Sequence, residues 1–179
     1  MSGDRFGWGE NIVTVMQIRT LGDPALREAA SPAEVFDDAL RRIVDDMLET
    51  MYAAPGVGLA GNQVGLRTAC FVYDDREGHA GLVANPRLSE PEGEETLEEG
   101  CLSIPGPYHP MVRAARVRLV GADLDGEPLD IVAEGLLARI FQHETDHLNG
   151  MLYIDRLDDA GRRDVMRQLR EFEVQRSEP

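Results

Sequence analysis

The sequence predicts an α+β fold. Three observations carry that prediction. Two long segments, residues 35–52 and 131–148, repeat apolar residues at helical spacing. Short β-rich runs such as TACFVY (68–73) and RAARVRL (113–119) lie outside them. Strands and helices do not alternate in the rhythm that builds a doubly wound parallel sheet.

Residues 1–11, beginning MSGDRFGWGE, have neither an apolar core nor a basic amphipathic pattern, and read as a loose N-terminal extension. Residues 12–18 (IVTVMQI) predict a strand, closed by the Gly22-Asp23-Pro24 turn. The helix over 35–52 puts Leu40, Val44, Met47, Leu48 and Met51 on one face, and Pro55-Gly56 stops it. A strand follows at 68–73, a turn or loop at 74–81, and a short strand at 81–86 (GLVANP). Residues 90–99 hold six glutamates, whose mutual repulsion predicts a solvent-facing segment. After the strand at 113–119, LDGE (124–127) centres a hairpin turn on Asp125-Gly126. A second helix is expected over about 131–148, capped by Asn149-Gly150, and a last one over about 159–174. With no repeat and no linker, residues 1–179 read as one domain.

Composition narrows the function classes. Eighteen Lys plus Arg against 33 Asp plus Glu give a formal charge of -15, which repels a nucleic-acid backbone. Two cysteines, Cys70 and Cys101, are too few for a disulfide scaffold in a chain this long, so a reducing compartment is expected. No apolar run is long enough to span a bilayer, and the cytoplasm is the expected location.

The strongest chemical signal is FQHETDHLNG (141–150). His143 and His147 are four apart, so a helix places both imidazoles on one face, one turn apart. With Glu144 between them this is H-E-x-x-H, in which two histidines hold a metal and the glutamate is the base. A bland alternative is a polar helix turn without metal. The apolar neighbours Ala138, Ile140, Phe141 and Leu148 argue for burial, where imidazoles need partners.

Catalytic divalent sites commonly use three protein ligands and leave one position open. Cys101, in EEGCLSIPG, is the most informative third candidate, although a buried free thiol is the commoner fate of such a residue. Acidic residues downstream, Asp155, Asp158 and Asp159, are the rival choice. A Cys-His-His set would acidify a bound water, with Glu144 accepting its proton and passing it to a leaving amine.

GVGLAG (56–61) matches the dinucleotide-binding G-x-G-x-x-G in letters only. That motif needs a strand before it and a helix opening through it, whereas here a helix and Pro55 precede it. A tight backbone lining a cleft, able to pair with an extended peptide, is the better reading. Gln63 then offers an amide to a carbonyl oxygen gaining charge.

Taken together, GVGLAGNQ, EGCLS and QHETDHLNG resemble, in order and spacing, the three motifs of the peptide deformylase family. The resemblance covers about residues 13–154. It implies a deformylase-like fold with antiparallel or mixed sheets around a central helix carrying H-E-x-x-H. It implies removal of the formyl group from N-terminal formylmethionine of nascent polypeptides, with release of formate. Cys101, His143 and His147 would bind one divalent metal, ferrous iron in the cell, with zinc, nickel or cobalt able to replace it. Glu144 would be base and then acid. Gln63 and the backbone N–H of Leu102 would hold the formyl oxygen. Val57, Gly58 and Gly100 would pair with the peptide backbone. The methionine would enter an apolar pocket near Val57, Leu102, Ile140 and His143. Glu99 and Arg113 would form a buried pair that fixes the Cys101 loop.

Three positions depart from the family pattern. Gly61 replaces an alanine and would loosen the first motif. Arg139 stands at an apolar pocket-rim position and would reach outward or toward polar groups of the peptide. Tyr108 stands where other members have an arginine, beside the peptide beyond its methionine. Transient ribosome contact through the C-terminal segment is a further implication of the resemblance. Residues 162–179 hold five arginines and four acids, so that segment is only weakly basic. A monomer without nucleic-acid or membrane partners is expected. The rivals are another H-E-x-x-H metallopeptidase, a non-catalytic metal- or peptide-binding domain, and a structural metal site.

Overall fold

The computed structural model describes residues 13–177. The expected extension at 1–11 lies outside the described residues. Among the described residues, seven strands form two antiparallel sheets. The larger joins β1 (Gly58–Ala60), β2 (Cys70–Asp74), β3 (Ala80–Glu92), β6 (Arg116–Ala122) and β7 (Pro128–Glu134), in that spatial order. The smaller pairs β4 (Glu95–Cys101) with β5 (Ile104–Arg113). Three α-helices complete the fold: α1 (Asp38–Ala53), α2 (Gly135–Leu148) and α3 (Asp159–Ser177).

The alternation of strand side chains divides the core. On β2, Phe71 and Tyr73 face α2, where they meet Ile140, Phe141 and Leu148. Cys70 and Val72 face the other way, onto Leu40, Val44, Met47 and Met51 of α1. The larger sheet is therefore sandwiched between α1 and α2. Phe141 is fully buried, with ring centroids 5.8 Å from Phe71 and 5.1 Å from Tyr73. Truncating it to alanine would cost about 3–5 kcal/mol. A third cluster packs Val165 and Leu169 of α3 on Ile104 and Met111 of β5 and on Leu152, Tyr153 and Ile154.

Both amphipathic helices form where periodicity places them, with the start of each corrected. α1 starts at Asp38 rather than 35, because Asp37 caps it by accepting from the N–H groups of Ala39 and Leu40. α2 starts at Gly135, not 131. Residues 131–134 belong to β7, where Ile131 pairs with Leu119 and Ala133 with Val117. Apolar residues at 131 and 133 satisfy strand alternation as well as a helical face, and the β6 partner decides between them. α3 runs three residues past its expected end at 174.

The strand expected at 12–18 does not form over 13–18. Instead α1 side chains satisfy its backbone: Thr14 N–H donates to Asp46 Oδ1 (2.7 Å) and Met16 N–H to Thr50 Oγ1 (2.8 Å). The glutamate-rich stretch is partly strand. Most of its acids do face solvent, but Glu99 is 5 % exposed. β5 carries prolines at 105, 107 and 110 and still forms, because among the described residues its only strand partner is β4. Among the described residues, no helix is long and apolar enough to cross a membrane.

Candidate active site

Three elements converge on one cleft of about 510 Å³. β1 and the 3-10 turn after it bring Val57, Gly58 and Gln63; the end of β4 brings Gly100, Cys101 and Leu102; α2 brings Arg139, Ile140, His143 and Glu144. Tyr108 of β5 stands on the wall. The residues that sequence reasoning nominated for peptide contact therefore all line this cleft.

His147 and His143 stand one helical turn apart, with Nε2 atoms 3.2 Å from each other. Cys101 Sγ lies 3.2 Å from His147 Nε2, and the three donor atoms all fall within 4.8 Å of one another. In a tetrahedral site, donors about 2.0–2.3 Å from the ion sit roughly 3.3–3.6 Å apart. A thiolate and two imidazoles at this spacing therefore fit one divalent ion of borderline softness. Asp155, Asp158 and Asp159 are not part of this cluster.

The donors are held from behind. His143 Nδ1 meets Glu99 Oε1 at 2.6 Å, which fixes the ring and leaves Nε2 facing the cluster. Glu99 also accepts from Arg113 Nη2 (2.6 Å) and Nε (3.1 Å) and from Arg139 Nη1 (2.9 Å). Arg113 extends the chain to Asp146 (2.6 Å), which accepts both Nε and Nη2 of Arg156 at 2.6 Å. Burial opposes ionisation of Glu99, but His143 and Arg113 outweigh it and hold its pKa well below the carboxylate range. Burial likewise opposes charge on His143, yet hydrogen bonding to Cys101 and Glu99 raises its pKa well above the ordinary value. His147 is driven low, first by burial and then by the charge of His143. Asn62 Nδ2 donates to the His147 carbonyl and ties the end of α2 to the glycine-rich segment.

Glu144 is buried, and its Oε2 has no partner among the described residues. Desolvation pushes its pKa up to about 7. Its Oε1 lies directly under Gly58, where an added Cβ would be 2.3 Å away. Gln63 is 1 % exposed; its Oε1 accepts from Ala60 N–H (2.8 Å) and its Nε2 donates to Ser103 Oγ (3.0 Å). The second Nε2 hydrogen points weakly at Cys101 Sγ, 3.7 Å away.

Two family departures look different in three dimensions. Arg139 does not reach outward: it is 5 % exposed, and its Nη2 donates to the Glu95 carbonyl at 2.9 Å. Gly61 is a close approach rather than slack, since a Cβ there would meet the Thr68 carbonyl at 2.9 Å. Sequence reasoning missed Asn62, Ser103, Asp146 and Arg156. Asp146 had a signal, because it lies within the H-E-x-x-H turn itself; the others show only once the segments are brought together.

Comparison with known proteins agrees with this geometry. A family model described as polypeptide deformylase matches residues 15–163. A peptide deformylase of Acidothermus cellulolyticus is 47% identical over 161 residues, covering 90% of this chain and 89% of that protein. The crystal structure of a peptide deformylase from Legionella pneumophila superposes with a TM-score of 0.87 at 40% identity, covering 93% of this chain and all of that one. That of Synechococcus elongatus, in complex with actinonin, gives 0.82 at 39% identity, covering 92% of each chain. The match spans most of the sequence and the whole of the cleft, and the chain belongs to the peptide deformylase family.

Proposed function

We propose that this protein hydrolyses the N-formyl group from formylmethionine at the start of new polypeptides, releasing formate. The observation that carries the reading is Glu144. A carboxylate with a pKa near neutral stands beside a Cys-His-His cluster, with one oxygen unpartnered.

Cys101, His143 and His147 would hold a divalent ion, which would supply Lewis acidity at neutral pH. Ferrous iron is the ion we assign on the family resemblance; zinc, nickel or cobalt suit the same donors. Glu144 takes a proton from the attacking water. The formyl C–N bond then breaks, and Glu144 returns the proton to the departing amine. Gln63 gives up its weak contact with Cys101 Sγ and donates to the formyl oxygen, joined by the Leu102 N–H.

Open strand edges support a peptide substrate. Among the described residues β1 pairs only with β2, and β4 only with β5. Each leaves one edge without a strand partner, so an extended chain can pair with Val57, Gly58 and Gly100. The methionine side chain then lies among Val57, Leu102 and Ile140, with Arg139 on the cleft wall held by Glu99 and the Glu95 carbonyl. Arg162, Arg163 and Arg170 of α3 share a groove with Asp159, Asp164 and Arg167, the last paired with Asp164 and Glu171; to the three arginines we assign a transient contact with ribosomal phosphates, the protein acting as a monomer.

The test is anaerobic turnover of a formyl-Met peptide, with metal content read on the same sample. Formate release should track bound metal, and Glu144→Ala should keep the metal and lose turnover. Internal cleavage of unformylated peptides in its place would move the protein to the peptidases.

A further inference from the structure

α3 contributes no atom to the metal cluster, yet it fastens to the wall of the cleft. Four of its residues, at 161, 164, 168 and 172, share one helical face and meet consecutive parts of β5. Gly161 packs on His109 so closely that a Cβ would lie 2.8 Å from Nε2. Asp164 Oδ2 is 3.5 Å from His109 Nδ1. Gln168 accepts from the Tyr108 N–H (3.2 Å) and donates to the Tyr108 carbonyl (3.1 Å). Phe172 covers Gly106, which has φ +103 and no room for a side chain.

The Gln168 pair is the informative one. Both backbone groups of Tyr108 meet Gln168 on the side away from β4, an edge that carries no strand among the described residues. The side-chain amide takes the place of that strand. Tyr108 itself is 60 % exposed, although its ring lies against Gly100 so tightly that a Cβ there would be 2.7 Å from Cε1. Core packing does not explain so exposed a ring held so closely at a cleft mouth. An aromatic face beside an open strand edge suits the side chain of an extended peptide.

We propose that α3 is a working part of the peptide site: Gln168, backed by Phe172 on Gly106, holds Tyr108 as the wall for the substrate beyond its methionine. Gln168 is thus a positioning residue, and Tyr108, placed beside the peptide by the family resemblance, is the group it positions. This rests on the deformylase reading. It predicts that α3 affects long substrates and spares the shortest.

The test compares metal-loaded wild type and Gln168→Ala on formyl-Met amide and on formyl-Met-Leu-Phe amide. Loss of the paired hydrogen bonds should raise KM for the tripeptide about tenfold, with kcat and metal content unchanged. KM for formyl-Met amide should stay within about twofold. Tyr108→Ala should reproduce the effect, and the double variant should be no worse than Tyr108→Ala alone. Equal KM rises on both substrates, or multiplied effects in the double variant, would overturn the proposal. Amide hydrogen exchange at Gly106, Tyr108 and His109 gives a readout independent of turnover. It should quicken in Gln168→Ala, and unchanged protection would also overturn the proposal. A wild type that deformylates neither substrate, with exchange behaving as expected, would remove the deformylase reading and leave the brace standing.

Discussion

Replacing Gly58 by alanine tests the position of Glu144 without touching the carboxylate or the metal donors. The new Cβ would lie 2.3 Å from Glu144 Oε1, 2.8 Å from Cδ and 3.0 Å from Cγ. Real Cβ contacts essentially never fall below 3.0 Å, so the carboxylate oxygen must move by roughly 0.7 Å. Gly58 sits in a strand without positive φ, so backbone strain adds nothing. A shift of this size at a proton-transfer group lowers kcat about 10²-fold, or about 2.7 kcal/mol of barrier. KM and metal content should hardly change, because the three atoms nearest the new methyl group all belong to Glu144. Formate release by a coupled dehydrogenase assay, with metal analysis, reads all three. In the Glu144→Ala background the added methyl group should have no further effect. Undiminished kcat in Gly58→Ala would refute the reasoning, and so would a loss of metal in proportion to activity.

Other perturbations address the surroundings of the site. Arg113→Met leaves Glu99 and Asp146 with fewer counter-charges in a buried place; urea unfolding should show a loss of about 3–5 kcal/mol. Burial pushes the Cys70 thiol up to about 12, so mass spectrometry after alkylation at pH 8 should find Cys70 unmodified, with Cys101 modified only after chelation. Burial favours neutral Asp155, but Arg27 (2.5 Å) and the Leu152 N–H (2.8 Å) outweigh it and lower its pKa. That ionised carboxylate stabilises the fold above about pH 4, and the contribution is lost as pH falls through the lowered folded value. The melting temperatures of wild type and Asp155→Asn should therefore differ at pH 7 and converge in acid; a gap that widened in acid would reverse the assignment.

Much of the site was legible because its chemistry is local in sequence. His143, Glu144 and His147 share one helical turn, so spacing alone places them together. Cys101 needed a long-range pairing that spacing does not reveal, and the family motifs supplied it. The helices were legible because amphipathic periodicity persists over four turns. β1 was not, since three residues cannot display an alternation, and β5 was hidden by its prolines. The β7–α2 boundary failed because residues 131–134 satisfy two periodicities at once. Among the acids of 90–99, nothing in the run distinguishes Glu99 from its neighbours. Its burial depends on Arg113, Arg139 and His143 arriving from other elements.

The open edge of β4 has a second consequence. Beyond the Glu95 carbonyl, which Arg139 occupies, an edge open to a substrate backbone is equally open to another copy of itself, and such edges seed aggregation. Glu94, Glu95 and Glu98 crowd this one with negative charge. Two copies meeting edge to edge would bring like charges face to face, whereas a neutral formylated chain end meets no such barrier. The acidic run therefore acts as a filter, keeping the edge free for its substrate by making it hostile to its twin.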